Sequence, residues 1–430
     1  MRRWDFDYAD GVLSCEGVSL ADIAAAVATP VYVYSAAGIA ARYRAYRDAL
    51  APLGGHVCYA MKANDNLAIL SLLAREGAGF DVVSVGEMRK ALAVGTRPSD
   101  IVFSGVGKTD DEIAAALDAG LLSLNVESED EMESLARIAR SKDIRTSAAI
   151  RINPDVDART HAKITTGKAE NKFGISIERA KALFDRARDY SHVELDCIAT
   201  HIGSQLTSLD PYRDAFAVVA DLVRELRGKG HTVRRLDLGG GLGIAYHDEP
   251  VPEIADYAAV VKETVGDLGC HLVFEPGRSI VGPAGVLVAS VVRLKEGEAR
   301  RFVVVDAAMN DLVRPAMYDA HHEILTVTEA GPDNPRPADI VGPVCESGDT
   351  FARQRQLKTV ENGDLVAFMS AGAYGAVMSS SYNARSPAPE VLVSDGRFAI
   401  IRARLDIDDI MRRDQIPDWI SSDRSERGAA

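Results

Sequence analysis

Lys62 closes the apolar run Cys58-Tyr59-Ala60-Met61 and precedes Ala63-Asn64. A lysine at the end of a buried run is partly stripped of water, which lowers its pKa and frees the amine to form a Schiff base with a carbonyl. The same position also suits a lysine whose stem carries its ammonium out to solvent. His201, in Thr200-His201-Ile202-Gly203-Ser204, could stack on a planar ring or move a proton, or be a satisfied core histidine. Gly239-Gly240-Gly241-Leu242-Gly243 and Glu275-Pro276-Gly277-Arg278 are either tight turns or places where backbone N–H groups reach a phosphate. Cys345-Glu346-Ser347-Gly348-Asp349 sets a thiol beside an acid. A neighbouring acid does not favour a thiolate, so the pentapeptide reads as a proton donor's setting or an ordinary loop. Arg314 and Tyr318 offer donors for a carboxylate, and Gly372-Ala373-Tyr374-Gly375 a flexible loop with one phenol.

Other segments imitate known sites without their essential parts. Ser104-Gly105-Val106-Gly107-Lys108-Thr109 ends like a phosphate-binding loop, but Val102 stands where its first glycine is required. The glycines at 239–243 do not open a dinucleotide site, because Ile244 occupies the last glycine position. His321-His322-Glu323 lacks a further ligand at helical spacing, so it is taken as a surface cluster and no metal is expected.

Eight short apolar runs must position these residues: 56–63, 79–85, 101–107, 121–126, 146–153, 195–203, 234–241 and 270–278. Each is apolar on both faces and is separated from the next by an Ala-rich amphipathic stretch, the pattern of parallel strands with crossover helices. Eight such units predict a (β/α)8 barrel over residues 36–285, whose active face lies at the strand C-termini and whose phosphate site follows strands seven and eight. Residues 286–305 and 364–403 alternate like strands, with a hairpin turn at Asp395-Gly396. They predict a β-sandwich or β-barrel-like domain over 286–420 that also takes in residues 1–35 through Tyr32-Val33-Tyr34. Residues 330–338 read as a Pro-rich loop and 421–430 as a frayed tail.

With 430 residues, 47% hydrophobic and 26% charged, the composition is that of a globular protein. The 49 basic against 63 acidic residues give a net charge of −14, which disfavours a nucleic acid partner. Five scattered cysteines write no disulfide framework, and no apolar window approaches a membrane span, so a soluble cytoplasmic protein is expected.

A strand-end lysine, a glycine-rich phosphate turn, a strand-end acid and a histidine are the parts pyridoxal 5'-phosphate requires. Tyr59 to Asn64, Arg151 to Pro154 with Asn171 to Ile175, His201 to Gln205, Gly239 to Gly243, Glu275 to Arg278, Cys345 to Asp349 and Tyr382-Asn383 occur in family order. The chain thus resembles the fold-type III (alanine racemase-like) pyridoxal-phosphate decarboxylases, and within them the branch acting on meso-diaminopimelate. The resemblance implies that Lys62 carries the cofactor, Glu275 pairs with its pyridine nitrogen and His201 stacks on its ring. It implies a phosphate held by Ser204, Gly240 and the Gly277-Arg278 backbone, within the Gly239, Gly241 and Pro276 turns and assisted by Tyr374. Arg278, Arg314 and Tyr318, with Tyr374, would bind substrate carboxylate, Glu346 the distal ammonium, and Cys345 would protonate the carbanion. It further implies a homodimer in which Cys345 and Glu346 reach the partner's site, and an activity that closes lysine biosynthesis. Related arginine, ornithine or carboxynorspermidine decarboxylases, and a racemase, are the alternatives. The Gly282-Pro283 and Arg385-Ser386-Pro387 stretches depart from the commonest family versions.

Overall fold

The computed structural model describes residues 3–157, 171–329 and 334–421; part of the Pro-rich loop and nearly all of the predicted frayed tail lie outside them. Eight parallel strands close into a barrel in chain order: Gly55–Ala60, Gly79–Val82, Ile101–Phe103, Ser123–Val126, Thr146–Ile152, Val193–Thr200, Arg235–Asp237 and His271–Phe274. The eighth pairs with the first, Leu272 opposite Gly55. Every predicted run overlaps one strand, though the first and sixth strands begin one and two residues before their runs. The strands stop short of the runs where the chain turns to present polar residues, as where Met61–Ala63 forms a single 3-10 turn carrying Lys62.

The crossover helices begin where side chains can satisfy the first free N–H groups. Asn66, Ser84, Ser128 and Ser176 accept from amides of the helices Leu67–Arg75, Val85–Ala93, Glu129–Lys142 and Ile177–Asp185. Thr109 and Glu112 form a reciprocal capping box on Asp110–Ala119. This box occupies the phosphate-loop lookalike. Its Lys108 is buried, donating to the carbonyls of Gly105 (2.7 Å) and Asn125 (2.8 Å) and pairing with Glu131 (2.7 Å). At the strand N-termini, Arg235 donates to Leu122 O (2.8 Å), to Asp196 (3.0 Å) and to Ser147, joining three strands.

The second sheet is mixed and, among the described residues, has nine strands. Its spine, Gly285–Glu296, pairs first with Val31–Ser35 and Leu365–Phe368 and then with Arg301–Val305, with a register shift between Val291 and Arg293. Val31–Ser35 is buried along its whole length and also pairs with Glu390–Ser394, so the early chain enters the later sheet as predicted. The hairpin of Glu390–Ser394 with Arg397–Arg402 turns at Asp395 (φ 50°) and Gly396 (φ 75°), a left-handed pair suited to a two-residue turn. The structure adds a separate three-stranded sheet, Asp7–Ala9, Val12–Cys15 and Val18–Ser19. It is tied to the second sheet where Leu13 N–H donates to Val327 O at 2.7 Å.

Candidate active site

Two cavities at the C-terminal ends of the barrel strands share Lys62 and His201 in their walls. The inner one, about 160 Å³, lies within the barrel mouth and is lined by Asn125, Asp237 and Glu275. The outer one, about 380 Å³, faces the second sheet and is lined by Ser204, Tyr246, Arg278, Arg314, Tyr318 and Tyr374.

The inner cavity is acidic. Asp81, at the end of the second strand and fully buried, accepts from Lys62 Nζ at 2.6 Å. Burial pulls the lysine pKa down, but the Asp81 carboxylate outweighs it and holds Lys62 above the ordinary lysine value. The sequence-based expectation of a lowered pKa is therefore corrected; a buried carboxylate on the neighbouring strand reverses the desolvation effect. Asp237 ends the seventh strand, accepting from Asn125 Nδ2 (2.7 Å) and Gly239 N–H (3.0 Å). Burial, then Asp237 and Asp81, push Glu275 well up, so Glu275 keeps the proton and donates it toward Asp237. His201 is held neutral by burial, with Lys62 and Arg151 adding to the effect, and its Nδ1 accepts from Gly240 N–H at 3.2 Å.

The outer cavity is basic. Arg278 donates to Tyr246 Oη (2.7 Å) and Ser204 Oγ (3.0 Å) and lies 4.8 Å from the centre of the Tyr374 ring. Arg314 lies 4.5 Å from the Tyr246 ring centre. Among the described residues, neither guanidinium has a carboxylate within salt-bridge distance, although both are at least nine-tenths buried. Two buried cations facing one space are the setting for an anionic ligand.

The turns between the cavities are built by close backbone approach. A Cβ on Gly240 would lie 2.1 Å from Glu275 O, so only glycine lets these strand ends meet. Ala60 N–H donates to Pro276 O at 3.1 Å, and Tyr374, at φ 54°, donates its N–H to Ala63 O at 2.8 Å. The Lys62 turn is thus gripped from both sides.

The sequence-predicted residues divide accordingly. Lys62, His201 and Glu275 meet at the inner cavity. Ser204, Arg278, Arg314, Tyr318 and Tyr374 meet at the outer one, with Gly239, Gly240, Gly241, Pro276 and Gly277 forming the turns. Cys345 and Glu346 line neither cavity and are exposed on the second sheet's side of the chain. Asp349 shapes their loop, accepting from Val344 N–H (2.8 Å) and Met309 N–H (2.6 Å), while Asn383 Oδ1 accepts from Cys345 N–H (3.2 Å). Asp81, Asn125 and Asp237 were missed; each is a polar residue interrupting an apolar strand near its C-terminal end. Also missed were Tyr246 and His322. His322 is 1% exposed and bonded to Arg314, so it is no part of a surface cluster. His321 and Glu323 do meet His247, with all three ligand atoms within 4.8 Å. Arg355 donates to His321 Nδ1 (3.1 Å) and lies 3.5 Å from Glu323, so the group is already satisfied by a cation.

Residues 36–282 match the family described as the pyridoxal-binding domain of pyridoxal-dependent decarboxylases. A diaminopimelate decarboxylase of Pseudomonas aeruginosa is 51% identical over 93% of this chain and 96% of its own. The chain belongs to the diaminopimelate decarboxylase family. Another member, from Zymomonas mobilis, is 47% identical over 96% of this chain and 99% of its own. The diaminopimelate decarboxylase of Helicobacter pylori, solved with L-lysine, superposes with a TM-score of 0.88 at 41% identity, covering 91% of this chain and 98% of that one. The enzyme from M. jannaschii gives a TM-score of 0.92 at 36% identity, over 97% and 99% of the two chains. Among the described residues of this decarboxylase, no helix is long and apolar enough to cross a membrane.

Proposed function

We propose that this decarboxylase removes the carboxyl group at the D-centre of meso-2,6-diaminopimelate, releasing CO2 and L-lysine as the closing step of lysine biosynthesis, with pyridoxal 5'-phosphate as cofactor. One observation carries the reading: Lys62 and a neutral His201 sit where an acid-lined cavity meets a guanidinium-lined one. A protonated ring nitrogen belongs in the first and anionic groups in the second. The chemistry of the lining supports that fit. Among the described residues, Asp81 Oδ1, Asn125 Oδ1 and Thr200 Oγ1, all buried around the inner cavity, have no hydrogen-bond partner, and neither has Arg278 Nε beside the outer one. Among the described residues, no acceptor takes the amide hydrogens of Gly277 and Arg278, which are left for a phosphate.

The bound cofactor supplies an electron sink for the pair left behind when CO2 departs. The remaining work falls to side chains. Lys62 would hold the cofactor through its amine, and Asp81, 2.6 Å away, is placed to take the proton the ammonium must lose first. Glu275, kept protonated by burial and by Asp237, would present that proton to the ring nitrogen. His201, uncharged, covers one ring face without competing for the phosphate. Arg278 and Arg314 bind the carboxylate that is retained, Tyr318 and Tyr374 complete that wall, and Glu346 takes the distal ammonium. Cys345 delivers a proton to the reacting carbon.

Cys345 and Glu346 line neither of their own protomer's two cavities, which supports a homodimer in which each reaches the other's site. In this reading residues 36–285 hold the cofactor, and 1–35 with 286–420 carry the loop to the partner. Five free cysteines fit a reducing, cytoplasmic setting. Lys62→Ala is expected to abolish turnover and the cofactor's long-wavelength absorption in the purified protein; retention of both would overturn the cofactor assignment. Cys345→Ala is expected to fold and bind cofactor with that absorption intact but lose about 100-fold or more in rate. Unchanged turnover would place the proton donor elsewhere.

A further inference from the structure

Arg314, on the short helix Arg314–Tyr318, is aimed by a histidine rather than by an acid. Its Nη1 lies 2.8 Å from His322 Nε2, and His322 Nδ1 lies 2.8 Å from Met369 O. A guanidinium only donates and a carbonyl only accepts, so the ring has one possible state: hydrogen on Nδ1, lone pair on Nε2, no charge. The Tyr246 ring meets His322 edge-on at 5.2 Å between centres while Arg314 lies against it at 4.5 Å, so the guanidinium is fixed in direction as well as distance. Burial, with Arg314 next, holds His322 far below the ordinary histidine pKa, in keeping with the neutral ring.

A carboxylate in place of His322 would fix Arg314 equally well but cancel its charge. The imidazole orients the guanidinium and leaves that charge for the ligand. We propose that His322 is a positioning residue that holds Arg314, still fully cationic, on the substrate carboxylate that survives the reaction. Arg314 cannot serve the departing carboxylate well, because an ion pair there would stabilise the charge that must leave it. A grip on the retained group is the same in the ground state and the transition state, so it acts on binding and not on the chemical step.

The inference rests on the reading that Arg314 binds carboxylate, and the experiment separates the two. Binding of L-lysine and of 1,5-diaminopentane, which differs from lysine only by lacking the carboxylate, is measured on the holoenzyme by cofactor absorbance, alongside KM and kcat for meso-diaminopimelate. His322→Leu is expected to weaken L-lysine binding and raise KM about tenfold, leaving 1,5-diaminopentane binding and kcat within twofold. His322→Gln, which keeps a neutral acceptor, should recover most of the loss. His322→Glu, which aims Arg314 but cancels its charge, should not recover it; these two variants also decide the matter if His322→Leu does not fold. Arg314→Met should weaken L-lysine at least as much as His322→Leu, with no further loss in the double variant. If Arg314→Met leaves L-lysine binding unchanged, the carboxylate reading itself fails. If Arg314→Met weakens it and His322→Leu does not, or if His322→Glu binds like the parent enzyme, the role given to His322 is overturned.

Discussion

Lys62 in its resting pairing with Asp81 is an ammonium, and an ammonium is not a nucleophile. The 2.6 Å contact must be released, or the proton passed to Asp81, before cofactor can attach. Removing the carboxylate takes away the main group opposing burial and so lowers the lysine pKa. Asp81→Asn is therefore expected to load cofactor faster near neutral pH, with the midpoint of the loading-rate profile shifted to lower pH. Stopped-flow absorbance of apoprotein mixed with cofactor measures this, and an unchanged or higher midpoint would show that Asp81 does not set the amine's charge. Lys62 itself was legible because it ends an apolar run. Its charge state was not, since Asp81 stands 19 positions away in sequence and becomes a neighbour only when adjacent strands pair, Ala60 opposite Asp81.

The elements that carry these side chains are held together by groups that sequence patterns do not mark. Asn66 caps the helix Leu67–Arg75 and donates to Glu390 Oε1 (3.1 Å), while Tyr34 donates to Glu390 Oε2 (2.6 Å) and Arg402 pairs with the same carboxylate (2.8 Å). Glu390 thereby ties the segment after Lys62 to the second sheet. The strands themselves were readable because both faces are buried and apolar periodicity reports burial. The cross-domain clamp is a tertiary fact with no period. Gly240→Ala tests the closeness of the strand ends: the new Cβ would press on Glu275 O, and a loss of about 1–3 kcal/mol in stability with at least tenfold weaker cofactor binding is expected. Thermal unfolding and cofactor titration would read both, and a neutral substitution would contradict the packing described. On the next helix, burial pushes Glu87 up to about 7 from an ordinary value of 4.5. The folded chain then holds a proton that the unfolded chain has released, so the contribution present below 4.5 is lost as pH rises through 7. Glu87→Gln cannot lose it. The melting temperature of the variant relative to the parent should therefore rise from pH 4.5 to pH 8, and a flat difference would remove Glu87 from the account.

At the scale of the molecule, the net charge of −14 says nothing against an anionic substrate, because the outer cavity is locally basic. That local sign was partly legible, through Arg278 and Arg314. Its separation from an acidic inner cavity was not, because Asp81 and Asp237 read as polar flaws in apolar strands. Cys345 and Glu346 were legible as a pentapeptide, yet a single chain leaves them outside both cavities. If two chains complete each site, inactive Lys62→Ala and Cys345→Ala proteins should regain activity when mixed and allowed to exchange subunits. Random pairing makes about half of the dimers mixed, each with one intact site of two, so recovery should approach about one quarter of the parent activity. No recovery after demonstrated exchange would put both residues in one protomer's site. The central claim is tested most directly by CO2 release from the holoenzyme offered, separately, meso-diaminopimelate, its LL isomer, L-arginine and L-ornithine. Release is expected from the meso isomer alone, matched one to one by L-lysine; faster release from arginine or ornithine, or none from meso-diaminopimelate with cofactor bound, would contradict it.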